Sequence, residues 1–168
     1  MTSRSQRRTL KIKSGLGYDV HRLVEGRKLF IGGIEIPFTK GLLGHSDGDC
    51  LIHAILDALL GALGEKDIGQ LFPDTDRRYK DIRSTRLLEE VVQKLDKENI
   101  RIAHIDTVII AEDPPLAVFI PQMKDTLCTI LRIGPEDLGI KTKTNEGLDA
   151  VGRGEAIAAW ATALLEIP

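Results

Sequence analysis

The chain has 168 residues, of which 42% are hydrophobic and 29% are charged, and its formal net charge at pH 7 is −2. This length predicts one domain with an ordinary buried core, and no apolar run reaches the length of a bilayer span. The small net charge gives no electrostatic case for a nucleic acid or an anionic membrane as partner, and the 4% aromatic content argues against a base-stacking platform.

The first residues, MTSRSQRRTLKIK, are basic and polar, and they lack the apolar core of an export signal. We interpret residues 1–13 as a flexible tail, with an organelle-targeting segment as the alternative. Cys50 and Cys128 lie far apart in the chain. They are expected to be unpaired thiols in a reducing compartment, which predicts a cytoplasmic protein.

The first half of the chain predicts a strand, a hairpin and two helices. Residues 12–20 resemble a strand interrupted by two glycines, and KLFIGGIEIPF predicts a hairpin that turns at Gly32-Gly33. The polar segment GHSDGD offers N-cap residues for the amphipathic helix CLIHAILDALLGALG, which should end near Gly64. After a loop broken by proline, STRLLEEVVQKLDKEN predicts a second helix with Ser84 as its cap.

The second half predicts strands and helices without regular βαβ alternation. IRIAHIDTVIIAE reads as a strand stopped by Pro114-Pro115, residues 117–132 as a third helix, and LGIKTKTNEG as a strand that runs into a loop. The last stretch, EAIAAWATALLEI, is ambiguous, because its alanines favour a helix whereas its place after a glycine-rich loop suits a buried strand. Together these elements predict an α+β fold with helices on one side of a mixed sheet.

A candidate metal site begins at the segment GYDVH. Asp19 and His21 are two residues apart, so in a strand they share a face, and His53 on the following helix would complete an Asp/His/His set. Such a set leaves one tetrahedral position open, as a catalytic zinc requires. A solvated surface pair and an ordinary buried imidazole remain the alternatives. Asp49 and Asp57 flank His53 one helical turn away, and Asp57 is the candidate that orients its ring.

Two further polar segments suit phosphate. His45 and Ser46 precede a helix N-terminus, where backbone amides favour an anion. The segment KTKTNEGLDAVGRGE places hydroxyls, lysines, Glu146 and Arg153 in a glycine-broken loop. That loop suits phosphate and a divalent ion, with an ordinary solvated turn as the alternative.

Seven segments in order, GYDVHRL, IGGIEIP, KGLLGHSDGDCLIHAILDALLGALG, DIGQLFPDTD, IIAEDP, IPQM and TNEGL…GRGE, resemble the 2-C-methyl-D-erythritol 2,4-cyclodiphosphate synthases of the non-mevalonate isoprenoid pathway. The resemblance implies that residues 14–168 form a single synthase domain. It implies a two-layer α/β sandwich whose last segment is a strand, assembled as a homotrimer with active sites at subunit interfaces. The implied activity is that of a phosphorus–oxygen lyase, in which the 2-phosphate of the substrate attacks its own β-phosphate and CMP leaves.

The resemblance also assigns metals to residues of this chain. It places Zn²⁺, or another divalent transition ion, on Asp19, His21 and His53. It places Mg²⁺ or Mn²⁺, bound together with the substrate diphosphate, on Glu146. The substrate is a small CDP-linked molecule, 4-diphosphocytidyl-2-C-methyl-D-erythritol 2-phosphate.

Catalytic and substrate-binding roles follow from the same resemblance. His45 and Thr144 are expected to support the reacting phosphorus, and Arg153 to face an axial cavity of the trimer that can hold an isoprenoid diphosphate. The full substrate-binding set implied is Asp19, His21, His45, Ser46, Asp67, Ile68, Gly69, Phe72, Asp74, Asp76, Ala111, Glu112, Asp113, Pro114, Pro115, Leu116, Ala117, Lys143, Thr144, Asn145, Glu146 and Arg153.

This chain departs from the family pattern at two places. Pro115 stands where the family usually has a lysine that contacts the nucleotide's phosphate, and Asp149-Ala150 stands where Gly-Phe often lines the axial cavity. Because of these departures, a nucleotide- or isoprenoid-diphosphate-binding trimer that has lost catalysis stays open as an alternative. A second alternative is a zinc-dependent phosphohydrolase that uses the open metal position for water.

Overall fold

The computed structural model describes residues 10–168. Within that range the chain folds into seven strands and five helices joined by loops and short 3₁₀ turns. The elements are β1 Lys11–Glu25, β2 Leu29–Ile31, β3 Ile34–Ile36, β4 Lys40–Leu42, α1 Cys50–Leu63, α2 Ile68–Leu71, α3 Ser84–Lys97, β5 Arg101–Ile110, α4 Ile120–Leu131, β6 Leu138–Lys143, α5 Asp149–Gly152 and β7 Ala156–Ile167.

Five strands form one mixed sheet in the order β4-β1-β7-β5-β6. All neighbours are antiparallel except β5 and β6, which run parallel and are connected through α4. β2 and β3 form a separate hairpin around Gly32-Gly33, as predicted. The predicted α+β class is confirmed.

β1 begins earlier than the sequence predicts. Lys11 already pairs with Ile167, and the antiparallel ladder continues without a break to Arg22 and Ala156. The prediction of a flexible tail up to residue 13 is therefore wrong for residues 11–13, because a full-length β7 is available to pair with them. The part of that prediction that concerns residues 1–9 lies outside the described residues.

The two glycines of β1 continue the strand, because they let α1 pack close to it. A Cβ at Gly15 would lie 1.9 Å from the carbonyl oxygen of Ala58, and one at Gly17 would lie 1.9 Å from that of Ala54. Both distances are far below van der Waals contact, so only glycine fits. The close approach brings the face of β1 that carries Asp19 directly under α1.

α1 is the central helix, and Asp49 fixes its start. The Asp49 side chain accepts hydrogen bonds from Ile52 N–H at 3.1 Å, Gly32 N–H at 3.0 Å and Gly33 N–H at 2.7 Å. Asp49 therefore caps α1 and ties the β2–β3 turn to it. The helix ends as predicted at Gly64, whose φ of 76° is the left-handed conformation that favours glycine.

The other helices follow the prediction in extent but differ at their starts. Arg83 is the N-cap of α3 and makes no capping bond with its side chain, so the prediction that Ser84 caps the helix is wrong. Asp47, from the loop before α1, accepts the Ser84 N–H at 3.1 Å instead. α4 begins at Ile120, after a 3₁₀ turn over Leu116–Phe119.

The ambiguous last segment is a strand, β7, as the resemblance implied. It lies between β1 and β5 and is paired along both edges, and its small side chains at 159, 161 and 163 are buried where α1 crosses the sheet. Tertiary pairing therefore overrides the helix preference of alanine. Cys50 and Cys128 are unpaired, as predicted. Within residues 10–168, every helix is too short or too polar to cross a membrane.

Candidate active site

One cavity of about 390 Å³ opens between β1, the N-terminus of α1 and the loop that holds α2. It combines metal-ligating, hydroxyl and apolar side chains. Its lining residues are Asp19, His21, His45, Ser46, His53, Ile68, Gly69, Phe72, Asp74, Tyr79 and Leu87.

The predicted metal ligands converge at one wall of this cavity. Asp19 Oδ2 lies 2.9 Å from His21 Nε2 and 3.0 Å from His53 Nδ1, and the two imidazole nitrogens are 3.1 Å apart. Ligand atoms about 2.0 Å from a tetrahedral zinc would be about 3.3 Å from one another. The three atoms are therefore already close to the spacing of one face of such a tetrahedron. This donor set fits a divalent transition metal, and Asp19 and His21 form one cluster with His53 rather than a separate surface pair.

His21 is oriented by the backbone. Its Nδ1 donates to the carbonyl oxygen of Leu43 at 2.6 Å, which turns Nε2 toward Asp19, 2.9 Å away. Burial alone would raise the pKa of Asp19, but the hydrogen bonds and charges of His21 and His53 lower it to about 2. Asp19 is therefore ionised at neutral pH, as a metal ligand must be.

His53 is oriented by hydroxyl groups on the side away from Asp19. Its Nε2 lies 2.9 Å from Ser84 Oγ and 3.2 Å from Ser46 Oγ. Asp57, which the sequence proposed for this role, has a different partner, because its carboxylate accepts the Ile68 N–H at 2.8 Å. Asp57 thus positions the start of α2, since the helix spacing that suggested contact with His53 also allows it to reach across to the next loop.

His45 and Ser46 both line the cavity beside the metal ligands. His45 Nε2 is buried, and no residue from 10 to 168 gives it a hydrogen-bond partner. A buried imidazole nitrogen without a partner is costly unless a ligand supplies one. A residue of the cavity wall therefore carries a polar atom that lacks a partner among residues 10–168.

The DIG and FPDTD segments divide between the cavity and local structure. Ile68, Gly69, Phe72 and Asp74 line the cavity, with Phe72 edge-on to the ring of Tyr79 at 5.3 Å between centroids. Two predicted binding residues do not line it. Asp67 caps α2 through Gln70 N–H, and Asp76 binds Arg78.

Sequence reasoning missed two residues that line the cavity, Tyr79 and Leu87. Tyr79 lies just after the FPDTD segment, and Leu87 lies on the buried face of α3. A hydrophobic residue on a helix is ordinarily assigned to the core, so no local signal marked Leu87 as part of a site.

A second cavity, of about 240 Å³, joins the predicted nucleotide loop to the end of β6. Glu112 holds the two segments together, because its Oε1 accepts Asn145 N–H at 2.7 Å and Gly147 N–H at 3.5 Å. The lining residues are Ala111, Glu112, Pro114, Pro115, Leu116, Ala117, Thr142, Lys143 and Thr144.

The remaining predicted residues lie beside this second cavity or away from it. Asp113 and Asn145 neighbour its lining residues in sequence, and Thr144 Oγ1 lies 3.3 Å from Glu146 Oε1. Arg153 forms an exposed ion pair with Glu155. Among the described residues, the two cavities share no lining residue, and Glu146 is outside the Asp19/His21/His53 cluster.

The chain resembles known proteins over nearly its whole length. The YgbB family model matches residues 12–166. The 2-C-methyl-D-erythritol 2,4-cyclodiphosphate synthase of Caldicellulosiruptor bescii is 52% identical over 153 residues, which cover 91% of this chain and 98% of that protein. The CDP complex of IspF from Plasmodium falciparum matches with 35% identity and a TM-score of 0.81, over 94% of this chain and 96% of the other.

A longer protein contains the same fold as one part. The bifunctional IspDF from Campylobacter jejuni matches with 36% identity and a TM-score of 0.90, and the match covers 95% of this chain but 43% of that one. The agreement of family model, sequence identity and fold extends from β1 to β7. The chain is a member of the YgbB family.

Proposed function

We propose that the chain converts 4-diphosphocytidyl-2-C-methyl-D-erythritol 2-phosphate to 2-C-methyl-D-erythritol 2,4-cyclodiphosphate and CMP. The observation that carries this proposal is the convergence of Asp19, His21 and His53 on one wall of a cavity that also presents His45 and Ser46. Relatives at 52% identity carry the name of this synthase, and an Asp/His/His set beside unused polar groups suits phosphate chemistry.

In the proposed reaction the protein chiefly positions the substrate phosphates and stabilises their charge. The nucleophile is the substrate's own 2-phosphate, so no serine, cysteine or lysine of the chain needs activation. Asp19, His21 and His53 would hold the Zn²⁺, which when bound supplies a Lewis acid to the β-phosphate. His45 would donate its unpartnered Nε2–H to a phosphate oxygen, and Ser46 lies beside it.

The apolar part of the first cavity suits the methylerythritol unit. Ile68, Phe72, Tyr79 and Leu87 offer a wall against its methyl and carbon backbone, and the amide of Gly69 and the carboxylate of Asp74 offer polar contacts. Asp57 holds this wall in place by accepting the Ile68 N–H. Helix α1 would therefore carry both a metal ligand, His53, and a residue that positions the substrate-binding wall.

The second cavity suits the cytidine end of the substrate. Ala111, Pro114, Pro115, Leu116 and Ala117 provide its apolar lining, and Thr144 also lines it. The carboxylate of Glu146 would hold Mg²⁺ or Mn²⁺, which commonly binds one carboxylate together with substrate phosphates and neutralises their charge. Glu112 keeps the two loops in register.

One active site would use both cavities, contributed by neighbouring subunits. The outer face of the sheet supports such an assembly, because large apolar side chains of β1 and β7 lie exposed on it, with Leu16 62% exposed and Trp160 42% exposed. A patch of this kind on a monomer marks an interaction surface. We assign it to a homotrimer, with Arg153 directed to an axial cavity for an isoprenoid diphosphate.

The activity is tested by following CMP release from the substrate in the presence of Mg²⁺. The proposal expects CMP to appear stoichiometrically with the cyclic product and release to stop when a chelator removes the metals. Release of inorganic phosphate from simple phosphate esters would instead identify a phosphohydrolase, and binding of CDP without turnover would identify a non-catalytic binding protein.

A further inference from the structure

Behind His53, on the side away from Asp19, two buried side chains form a hydrogen-bonded chain. Ser84 Oγ lies 2.9 Å from His53 Nε2 and donates to Asp47 Oδ1 at 2.5 Å. Ser84 is fully buried, and the Asp47 side chain is 4% exposed. Asp47 also accepts the Ser84 backbone N–H and lies 3.0 Å from the Arg83 guanidinium, so its position is fixed from several sides.

The direction of these bonds follows from what each group can do. A carboxylate only accepts, so the single Ser84 hydroxyl proton goes to Asp47. The Ser84 oxygen must then accept from His53 Nε2–H. In the metal-bound chain this leaves the lone pair of Nδ1, the atom that faces Asp19 and His21, free to bind the ion; without a metal, the Asp19 carboxylate is an acceptor for Nδ1–H at 3.0 Å.

We propose that Asp47 and Ser84 are positioning residues that hold His53 in the tautomer and ring orientation needed to bind the metal through Nδ1. This inference rests on the proposed metal site and assigns it a support from α3. Because Ser84 already accepts from His53 Nε2, the Ser46 hydroxyl, 3.2 Å from the same nitrogen, can still bind a ligand in the cavity. Partners of this kind raise the basicity of a histidine ligand and fix its geometry.

The test combines zinc affinity with the tautomer of His53. Zinc affinity is measured by competition with a chromogenic chelator in the full chain, in Ser84→Ala, and in the double variant Ser46→Ala/Ser84→Ala, which also removes the second hydroxyl near Nε2. We expect an affinity loss of about 10- to 100-fold for Ser84→Ala and a larger loss for the double variant. Thr107→Val is the control, because it removes another buried hydroxyl bond, to the Gly139 carbonyl, away from the site.

The tautomer is read by ¹⁵N NMR of the zinc-loaded protein, in which only four histidines contribute signals. The proposal expects His53 with its proton on Nε2 in the unaltered chain. A proton on Nδ1, or unchanged zinc affinity in the double variant, would overturn it. If the unaltered chain binds no zinc, the metal assignment and this inference both fail, whereas zinc binding that is insensitive to the double substitution overturns this inference alone.

Discussion

At the scale of single residues, the candidate metal site combines side chains from two elements that pack closely against each other. Asp19 and His21 come from β1, and His53 comes from the first turns of α1. Their ligand atoms lie 2.9 to 3.1 Å from one another. Leu43 holds His21 and Ser84 holds His53 independently of the cluster, so removing one ligand side chain should abolish metal binding while the scaffold remains.

Replacing His53 by alanine removes one of three ligands, and we expect the purified His53→Ala protein to lose its zinc. Elemental analysis after dialysis measures the zinc content per chain. His104→Ala is the matched control, because His104 is exposed on β5 and does not belong to the metal cluster. Full zinc content in His53→Ala would refute the ligand set.

Asp57 allows a test that separates its observed contact from the role predicted for it. Asp57→Ala removes the acceptor of the Ile68 N–H and loosens the start of α2, which forms the wall of the cavity. We therefore expect KM to rise several-fold while zinc content stays at the level of the unaltered chain, as checked by steady-state kinetics and elemental analysis. Zinc loss in this variant would restore Asp57 as a support of His53.

Short-range spacing in the sequence predicted part of this site. Residues two apart in a strand share a face, and this spacing correctly brought Asp19 and His21 together. Spacing of one helical turn was a poorer guide, because it paired His53 with Asp57 although the contacts run to Ser84. Ser84 is 31 residues away from His53 in the chain, and only the docking of α3 brings it near.

At the scale of elements, the hairpin, α1 and α3 were predictable because their turn glycines and apolar periodicity are local signals. β7 was not predictable from propensity, since its alanines serve close packing under α1 and its pairing partners lie far away in the chain. The same close packing explains why the glycines of β1 do not interrupt the strand. In β1 and β7, strand pairing and packing against α1 therefore decide the secondary structure, rather than local propensity.

This close approach predicts opposite effects for two glycine substitutions. Gly17→Ala would place a Cβ 1.9 Å from the Ala54 carbonyl oxygen, so we expect a loss of about 1–3 kcal/mol in the free energy of unfolding, or more if the helix cannot shift. Gly61→Ala, on the exposed side of α1, meets its nearest atom at 3.8 Å and should raise stability by up to about 1 kcal/mol. Urea denaturation compares the two, and equal stability would contradict the packing account.

At the scale of the whole molecule, the sheet has two unlike faces. One packs against α1, and the other exposes apolar residues of β1 and β7, including the Tyr18 and Trp160 rings, whose centroids are 4.5 Å apart. Sequence periodicity can indicate an exposed apolar face of the sheet, but it does not indicate which surface covers that face. The two cavities share no lining residue among residues 10–168, as expected if the proposed active site is completed between subunits.

A charge on this face tests the trimer. Leu16→Glu should convert the assembly to monomers and lower activity, because a carboxylate would be buried without a partner in the interface. Light scattering after size exclusion measures the mass. Gln93→Glu, on the exposed face of α3, adds the same charge and should leave the trimer intact. A trimer that survives Leu16→Glu would place the subunit contact elsewhere.

The products of the reaction distinguish the proposed cyclodiphosphate synthase from the other two functions. The purified chain is incubated with 4-diphosphocytidyl-2-C-methyl-D-erythritol 2-phosphate and Mg²⁺, and the reaction is followed by ³¹P NMR. The account predicts that the substrate signals are replaced by those of CMP and a cyclic diphosphate in equal amounts, and that His53→Ala forms neither. Linear phosphate monoesters or inorganic phosphate as the products, with no cyclic diphosphate, would contradict it.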